Sequence, residues 1–158
     1  MLIRKAREED AEAASVVLRR SITELCRDDY RGDAPTLAAW LANKTPENVR
    51  VWIGEPNSHV LVADDGGAIL GVAAIQSTGR ISLNYVSPDA RFRGVSKALM
   101  RALEAKAVEL GLSTCTLEST ETAHRFYLSM GYSDAGPSIP GFGVGICYPM
   151  TMARASPR

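Results

Sequence analysis

The sequence predicts a mixed α/β fold (an α+β mixed sheet) in the order β-α-α-β-β-β-α-β-α-β-β. Apolar residues recur at helical spacing in long segments near the start and in the second half of the chain. Between these segments, three strand-like stretches follow one another through turns of only a few residues. Because turns this short join antiparallel neighbours, we expect a mostly antiparallel sheet with helices packed on it.

The first third of the chain predicts one strand followed by helices. Three acids at residues 8–10 favour the first turn of a helix, where the helix dipole stabilises negative charge. A hydroxyl cap followed by proline at 45–47 indicates another helix start. In order, we expect a strand over residues 2–6, a helix over 8–25, a polar turn over 26–33, a short helix over 35–43 and the helix start at 45–47.

The rest of the chain predicts the sheet and two further helices. Pro88 cannot donate to a strand ladder, so the third strand of the meander ends before it. Glycines at 111 and 131 indicate helix ends. We expect strands over 58–64, 68–76 and 80–86, a helix over 95–110, a strand over 114–118, a helix over 122–130 and closing strands over 132–135 and 144–152.

Composition and charge exclude several classes of function. The 158 residues predict a single domain. Lys+Arg and Asp+Glu are both 18, so the net charge is zero, which argues against a nucleic-acid or membrane-surface binder. The charges are nevertheless distributed unevenly between the two halves of the chain. Residues 1–79 carry nine basic and 12 acidic side chains, and residues 80–158 carry nine and six.

Cysteine usage predicts neither a metal site nor a disulfide framework. Cys26, Cys115 and Cys147 are widely spaced and form no C-x-x-C pair. Reduced cysteines are typical of cytoplasmic proteins. The first ten residues hold no signal-peptide core, and the apolar run at 68–75 is far shorter than the ~20 residues of a membrane span. We therefore expect a cytoplasmic protein.

The start of the helix at 95–110 predicts a phosphate site. Three cations, at Arg91, Arg93 and Lys97, crowd the positive end of the helix dipole, where cations are unfavourable. Gly94 leaves the backbone uncovered, and no capping side chain stands beside it to accept from the first amides. A bound anion accounts for all of these features. The alternative is a solvated basic turn before a surface helix.

Known nucleotide-binding motifs are not found in the sequence. The pattern G-x-x-x-x-G-K-[ST] is absent. Glycines at 141, 143 and 145 superficially resemble a dinucleotide loop, but they precede a strand pattern and have no βαβ unit behind them. We expect a flexible turn there.

Two motifs in order resemble the GNAT N-acyltransferase superfamily. RFRGVS at residues 91–96 follows a strand, opens a helix and resembles that family's acyl-CoA-binding motif, Q/R-x-x-G-x-G/A. AHRFYLSMGY at 123–132 resembles its second motif, A-x-x-F-Y-x-x-x-G-F/Y. The element order is similar as well, so the resemblance implies one N-acetyltransferase domain over 1–153 and a short tail over 154–158. It also implies a sheet splayed between the fourth and fifth strands.

Two residues depart from the family pattern. Ser96 replaces the common Gly or Ala, which narrows the approach to a phosphate while its hydroxyl remains able to donate to one. Thr120 stands where many members have Asn. Thr can still cap the following helix, although a side-chain amide contact to the cofactor would be lost.

The resemblance implies direct transfer of an acetyl group from acetyl-CoA to a primary amine of a small molecule or protein. The amides of 92–97 and their flanking cations would hold the pyrophosphate. A free backbone N–H near Val86 would face the thioester carbonyl. The expected cofactor-binding residues are Asn84, Tyr85, Val86, Arg91, Phe92, Arg93, Gly94, Val95, Ser96, Lys97, Thr120 and Phe126.

The resemblance assigns Tyr127 as the general acid that protonates the leaving thiolate. Its neighbour Phe126 must face another way, and the alternative for Tyr127 is a core aromatic. No carboxylate occupies residues 80–85, so Glu118 is the nearest candidate for a catalytic base. A solvent-facing role for Glu118, a water relayed by Ser119 or a backbone carbonyl, and an amine that enters neutral all remain open.

The sequence says less about the site that would bind the amine acceptor. Cys26 has no evident base partner, which favours direct transfer over an acyl-cysteine. A non-catalytic acyl-CoA-binding sensor or assembly module is the rival interpretation, and a homodimer is common among small members of the family. A cationic amine would be attracted by acids with aromatics nearby, unless these form an ordinary solvated surface: Glu24, Asp28, Asp29 and Asp33, with Tyr30 and Trp40.

Overall fold

The computed structural model describes residues 1–141 and 144–153. The expected tail at 154–158 and the middle of the expected turn at 141–145 lie outside the described residues. The helices are α1 (Ala11–Leu25), α2 (Arg27–Tyr30), α3 (Ala34–Leu41), α4 (Pro46–Gly54), α5 (Val95–Glu109) and α6 (His124–Ser129). The strands are β1 (Leu2–Lys5), β2 (Ser58–Asp65), β3 (Ala68–Gln76), β4 (Ile81–Val86), β5 (Thr114–Thr120), β6 (Ser133–Asp134), β7 (Ile139–Gly141) and β8 (Val144–Ala153).

The predicted mixed α/β fold is confirmed, and the differences are local. Residues 8–10 form a 3-10 turn before α1, and α6 begins two residues later than expected. The segment 26–33, expected to be a turn, contains the short helix α2. Four residues are too few to show an apolar period, so periodicity could not reveal it. Strand β7 was not expected, because Pro140 and Gly141 weaken the strand pattern.

The strands form two sheets that diverge from a shared point. The first sheet has the order β1-β2-β3-β4, and every neighbouring pair is antiparallel. In the second sheet, β8 lies between β5 and β6 and also pairs with β7. Within the described ranges, one parallel bridge between Arg80 and Thr116 joins β4 to β5. Beyond that bridge the two strands separate, which confirms the predicted splay.

Gly79 sets how closely the two sheets approach at the bridge. Its carbonyl accepts from the Thr116 amide at 2.9 Å. A Cβ atom at Gly79 would lie 2.5 Å from the Thr114 carbonyl oxygen, and the φ angle of +94° is one that L side chains rarely adopt. Glycine therefore allows the turn after β3 to press against β5, and this contact is the vertex from which the strands diverge.

Helices cover both faces of the first sheet and complete a layered core. On one face, α1 and α4 contribute buried residues such as Leu18 and Val49 to an apolar cluster. On the other face, α5 buries Leu99, Met100 and Leu103 against strands of both sheets. Because α5 packs across both sheets, its first turn is held at the mouth of the opening between β4 and β5.

Replacing Gly79 by Ala should destabilise the protein by more than about 1 kcal/mol, because alanine is forced both into a positive φ and against the Thr114 carbonyl. The midpoint of urea denaturation measures this loss. Gly66→Ala is the matched control, since Gly66 also has a positive φ but no heavy atom within 4 Å of the position that a Cβ atom would take. Equal midpoints for the two variants would contradict the close approach at the vertex.

Candidate functional site

Two cavities lie in the opening between β4 and β5. The cradle cavity, of about 390 Å³, lies against the first turn of α5 and the connection that precedes it. The inner cavity, of about 160 Å³, lies between β4, β5 and the end of α1. The two cavities have different linings but share five residues, which form the boundary between them: Leu25, Asn84, Thr122, Ala123 and Tyr127.

The edge of β4 presents backbone donors to this opening. The Ser87 amide donates to the Leu70 carbonyl on β3 at 2.8 Å, and Val86 stands opposite Gly71 in the same register. Amides alternate sides along an antiparallel strand, so those of Val86 and Asn84 point away from β3. The strand on that side is β5, which has already diverged. The predicted free N–H near Val86 therefore has a structural basis.

Asn84 connects three elements at the boundary of the cavities. Its Nδ2 donates to the Tyr127 phenolic oxygen at 3.1 Å and to Ser96 Oγ at 3.0 Å. Ser96 Oγ lies 3.2 Å from Asn84 Oδ1 and can donate to it in return. A single amide on β4 thus ties the first turn of α5 to α6. The Ser96 hydroxyl, expected to face a phosphate, is engaged with this amide.

Tyr127 is buried, with its hydroxyl at the boundary. Its ring makes edge contacts with Phe126 and Tyr132, at centroid distances of 5.2 and 5.9 Å. Burial raises the pKa of Tyr127, while the hydrogen bond from Asn84 acts in the opposite direction. The phenol is therefore neutral at neutral pH, and it keeps its own proton because the bond from Asn84 uses only a lone pair on its oxygen.

The first turn of α5 has no side-chain cap, as the sequence predicted. Gly94 occupies the N-cap in the left-handed region, with φ +74°, and no side chain accepts from the amides that follow. Phe92 also has a left-handed φ, of 62°, and its side chain is 92% exposed. A non-glycine residue in the left-handed region costs about 1–2 kcal/mol, and such strained residues cluster at functional sites. Left-handed backbone before a helix start forms a concavity of amides suited to an anion.

The three cations around this turn are exposed, and two of them have neighbours. The Arg91 guanidinium lies 4.6 Å from the centroid of the Phe92 ring. Arg93 Nη2 lies 3.4 Å from the Asp65 carboxylate. Lys97 lines the cradle cavity from the first turn of α5. Positive charge is therefore concentrated beside uncapped amides, which is the combination that binds phosphate groups.

The cavities divide the expected cofactor-binding residues into two groups, apart from Asn84, which lines both cavities, and Arg93, which lines neither. Tyr85 and Thr120 line the inner cavity and not the cradle cavity. Neighbouring residues of a strand face opposite sides, so the side chain of Tyr85 points away from those of Asn84 and Val86. Thr120 Oγ1 accepts from the Ala123 amide at 3.4 Å in the turn before α6. The N-cap of α6 is Ala123 and no side chain caps that helix, so the expected capping by Thr120 is wrong. Eight others line the cradle cavity: Val86, Arg91, Phe92, Gly94, Val95, Ser96, Lys97 and Phe126.

Glu118 lies in the wall of the inner cavity. Its side chain is 40% exposed, and Oε2 lies 3.6 Å from Arg80 Nη2. Ser119, the other residue considered for proton transfer, is buried, and its hydroxyl donates to the Thr120 carbonyl at 2.7 Å. The structure thus brings the Glu118 carboxylate, on β5, to the same cavity as Tyr127, on α6.

The acids expected to attract a cationic amine mostly have structural partners. Glu24 pairs with Arg20 at 2.8 Å, and Asp33 caps α3 by accepting from the Thr36 amide at 3.0 Å. Asp29 is buried and accepts from the Thr122 amide at 3.0 Å. Asp28 is exposed and has no such partner among the described residues. The nearby aromatics, Tyr30 and Trp40, are core residues of a small cluster with Ile22.

Two features of the site were missed at the sequence level. The Asn84–Ser96 contact was not expected, although both residues were assigned to the site separately. Leu25 and Thr122 line both cavities but carry no motif, and their only signal was their position beside predicted site elements. Within the described residues, no helix combines the length and apolar character needed to cross a bilayer.

Comparisons with known proteins identify the family. The family model of the acetyltransferase (GNAT) domain matches residues 26–153. A search of curated proteins found no match. A GCN5-related N-acetyltransferase from Rhodopseudomonas palustris is 25% identical, with a TM-score of 0.85, and the alignment covers 96% of this chain and 94% of that one.

Two other solved structures share the fold at lower identity. The PaiA N-acetyltransferase from Thermoplasma acidophilum, solved in complex with coenzyme A, is 18% identical with a TM-score of 0.80, covering 96% of this chain and 98% of that one. A ribosomal-protein-alanine N-acetyltransferase from Brucella melitensis is 22% identical with a TM-score of 0.75, covering 97% and 99%. With the family model matching more than half of its length, this chain belongs to the GNAT acetyltransferase family.

Proposed function

We propose that the protein transfers an acetyl group from acetyl-CoA directly to a primary amine of a small molecule or protein. The observation that carries this proposal is the position of Tyr127 and Asn84, which line both the cradle cavity and the inner cavity. A donor in one cavity and an acceptor in the other would meet at the Tyr127 hydroxyl.

The cradle cavity fits the phosphate groups of acetyl-CoA. Its uncapped amides at 92–97, with Arg91, Arg93 and Lys97 around them, form an anion site of the kind that pyrophosphate requires. Acetyl-CoA supplies the activated acyl group when bound. The Val86 amide, which points into the opening, is proposed to donate to the thioester carbonyl, where negative charge develops during transfer.

Tyr127 is proposed to hold the proton that the leaving sulfur needs. Because burial raises its pKa above the ordinary value of about 10, the hydroxyl stays protonated through the neutral and mildly alkaline range. Asn84 fixes the direction of the hydroxyl by donating to its oxygen. Glu118, in the same cavity as the acceptor amine, is proposed to take a proton from the nitrogen.

We further propose that residues 1–153 form one catalytic domain that works in the cytoplasm. The apolar cluster beneath α5 supports a single domain, because it includes buried residues from strands of both sheets. Three cysteines without a disulfide among the described residues are compatible with a reducing compartment.

Release of free thiol from acetyl-CoA in the presence of a panel of primary amines tests the proposal. We expect amine-dependent release, and a rise in thermal stability worth about 2.7 kcal/mol when acetyl-CoA is present at 100 times its Kd. Saturable stabilisation without thiol release for any amine would overturn the enzyme proposal in favour of a non-catalytic sensor. Absence of any stabilisation would overturn acetyl-CoA binding itself.

Tyr127→Phe should lower kcat by about 10²- to 10⁴-fold, the usual contribution of a positioned acid, with little change in the KM for acetyl-CoA. Steady-state kinetics measure both constants. Tyr132→Phe is the matched control, because Tyr132 is a buried tyrosine in contact with Tyr127 whose hydroxyl bonds to Glu104 at 3.2 Å. An unchanged kcat in Tyr127→Phe would remove the acid role.

Cys26 should resist alkylation in the native protein, which separates direct transfer from an acyl-cysteine intermediate. Burial, and secondarily the Asp29 carboxylate, raise the pKa of this thiol to about 12. At pH 8 its thiolate fraction is then about 10³-fold below that of a free cysteine. Iodoacetamide labelling followed by mass spectrometry should show slow modification of native Cys26 and fast modification in urea. An acetyl adduct on Cys26 after mixing with acetyl-CoA would contradict direct transfer.

A further inference from the structure

A third cavity adjoins the inner cavity and contains a buried lysine. This Lys44 cavity, of about 230 Å³, lies between the connection from α3 to α4, the end of α4 and strands β2 to β4. It shares Ser82 and Leu83 with the inner cavity, so the two spaces meet along β4. Nothing in the proposed mechanism uses it.

Lys44 is buried without a counter-ion in the part of the chain that the structure describes. Lys44 is only 9% exposed, and within the described ranges it forms no ion pair with a carboxylate. Nζ donates to the Trp40 carbonyl at 3.4 Å and to Asn43 Oδ1 at 2.6 Å, which are both neutral acceptors. An ammonium group has three N–H donors, so one remains for another partner. Buried charges are normally paired, because desolvation is otherwise costly.

The strand wall of the Lys44 cavity adds two hydroxyl groups, those of buried Ser58 and exposed Ser82. Gln76 Nε2 donates to Ser58 Oγ at 3.3 Å and to Ser82 Oγ at 3.1 Å. Because each hydroxyl oxygen accepts a hydrogen bond from the amide, each hydroxyl can still donate its own hydrogen to another acceptor. Ser82 lies where the register between β3 and β4 shifts, since Ala74 pairs with Leu83 and Ile75 pairs with Ile81. Such a bulge re-aims a side chain and is common beside active sites.

We propose that the Lys44 cavity binds an oxyanion carried by the acceptor, so that the substrate is an amine with a carboxylate or phosphate at its other end. This inference rests on the proposed function and adds the substrate class. One ammonium and two hydroxyl groups supply donors of the kind that an oxyanion needs. Glu55 also lines the cavity, but its side chain is exposed and makes no ion pair with Lys44.

Strand geometry gives the length of the acceptor. Residues along a strand rise about 3.3 Å each, so Ser82 lies about 7 Å from Asn84 and about 13 Å from Val86. The amine to be acetylated would therefore be separated from the oxyanion by about 7–13 Å. A flexible chain of several carbons meets this requirement, whereas a small α-amino acid acetylated on its α-amine does not.

Thiol release with matched acceptors tests the inference. 6-Aminohexanoate and 6-aminohexanamide have the same length and amine and differ in the charge of the far end. We expect the wild-type kcat/KM to favour the carboxylate by at least about tenfold, as for a hydrogen bond to a charged group. 6-Aminohexyl phosphate, compared with the carboxylate, shows which oxyanion the cavity prefers.

Variants of Lys44 test whether the preference for the carboxylate acceptor arises in the Lys44 cavity. Lys44→Met and Lys44→Gln should lower the carboxylate-to-amide ratio to about one, while Lys44→Arg should keep most of it. Lys5→Met, which removes an exposed lysine from β1, should leave the ratio unchanged. Equal wild-type rates for the two acceptors, or a ratio unaffected by both neutral variants, would overturn the inference.

A binding measurement separates this inference from the proposed function. In thermal unfolding without acetyl-CoA, 6-aminohexanoate should raise the Tm of the wild type more than the amide does, and the difference should vanish in Lys44→Gln. If no amine releases thiol but this difference is present, the oxyanion site stands and the enzyme proposal fails. If thiol is released and the difference is absent, the oxyanion site fails alone.

Discussion

The divergence of β4 from β5 is the constraint on which the rest of the site depends. The strands touch where the Gly79 carbonyl meets the Thr116 amide, and they then separate. Along the opening, β4 and β5 do not form the hydrogen bonds that a continued ladder between them would contain. The apolar packing of α5 against both sheets provides the stabilisation that allows this. Both cavities, and the outward-pointing amide of Val86, exist because the two sheets are held apart.

Asn84 organises the opening at the level of side chains. Both of its amide protons are used, one toward Ser96 on α5 and one toward Tyr127 on α6. An aliphatic residue of similar size would leave a buried phenol without this partner, and a buried polar group without a bond costs about 1–3 kcal/mol. The amide therefore fixes where the phenolic proton lies relative to both cavities. The position of the Tyr127 hydroxyl follows from this contact, while its protonation follows from burial, which raises its pKa.

Local features of the fold were predictable from sequence, whereas the burial of charged side chains and the surface that each one faces were not. The glycine turns of the meander and the uncapped start of α5 depend on neighbouring residues, and the structure contains both. Asp33 was grouped with acids expected to face an amine, although its place before a proline-containing helix start is typical of a cap. The burial of Lys44 depends on α3, α4 and the sheet together, which no local pattern encodes.

The two strands that bound the opening are also edge strands of their sheets, which in many proteins are sites of unwanted pairing with other chains. Here α1 lies against β4 and α6 lies against β5, so both edges face a recess rather than the outer surface. Helical cover thus leaves the backbone donors of β4 open to the recess while keeping them away from the outer surface, where they could pair with a strand of another chain.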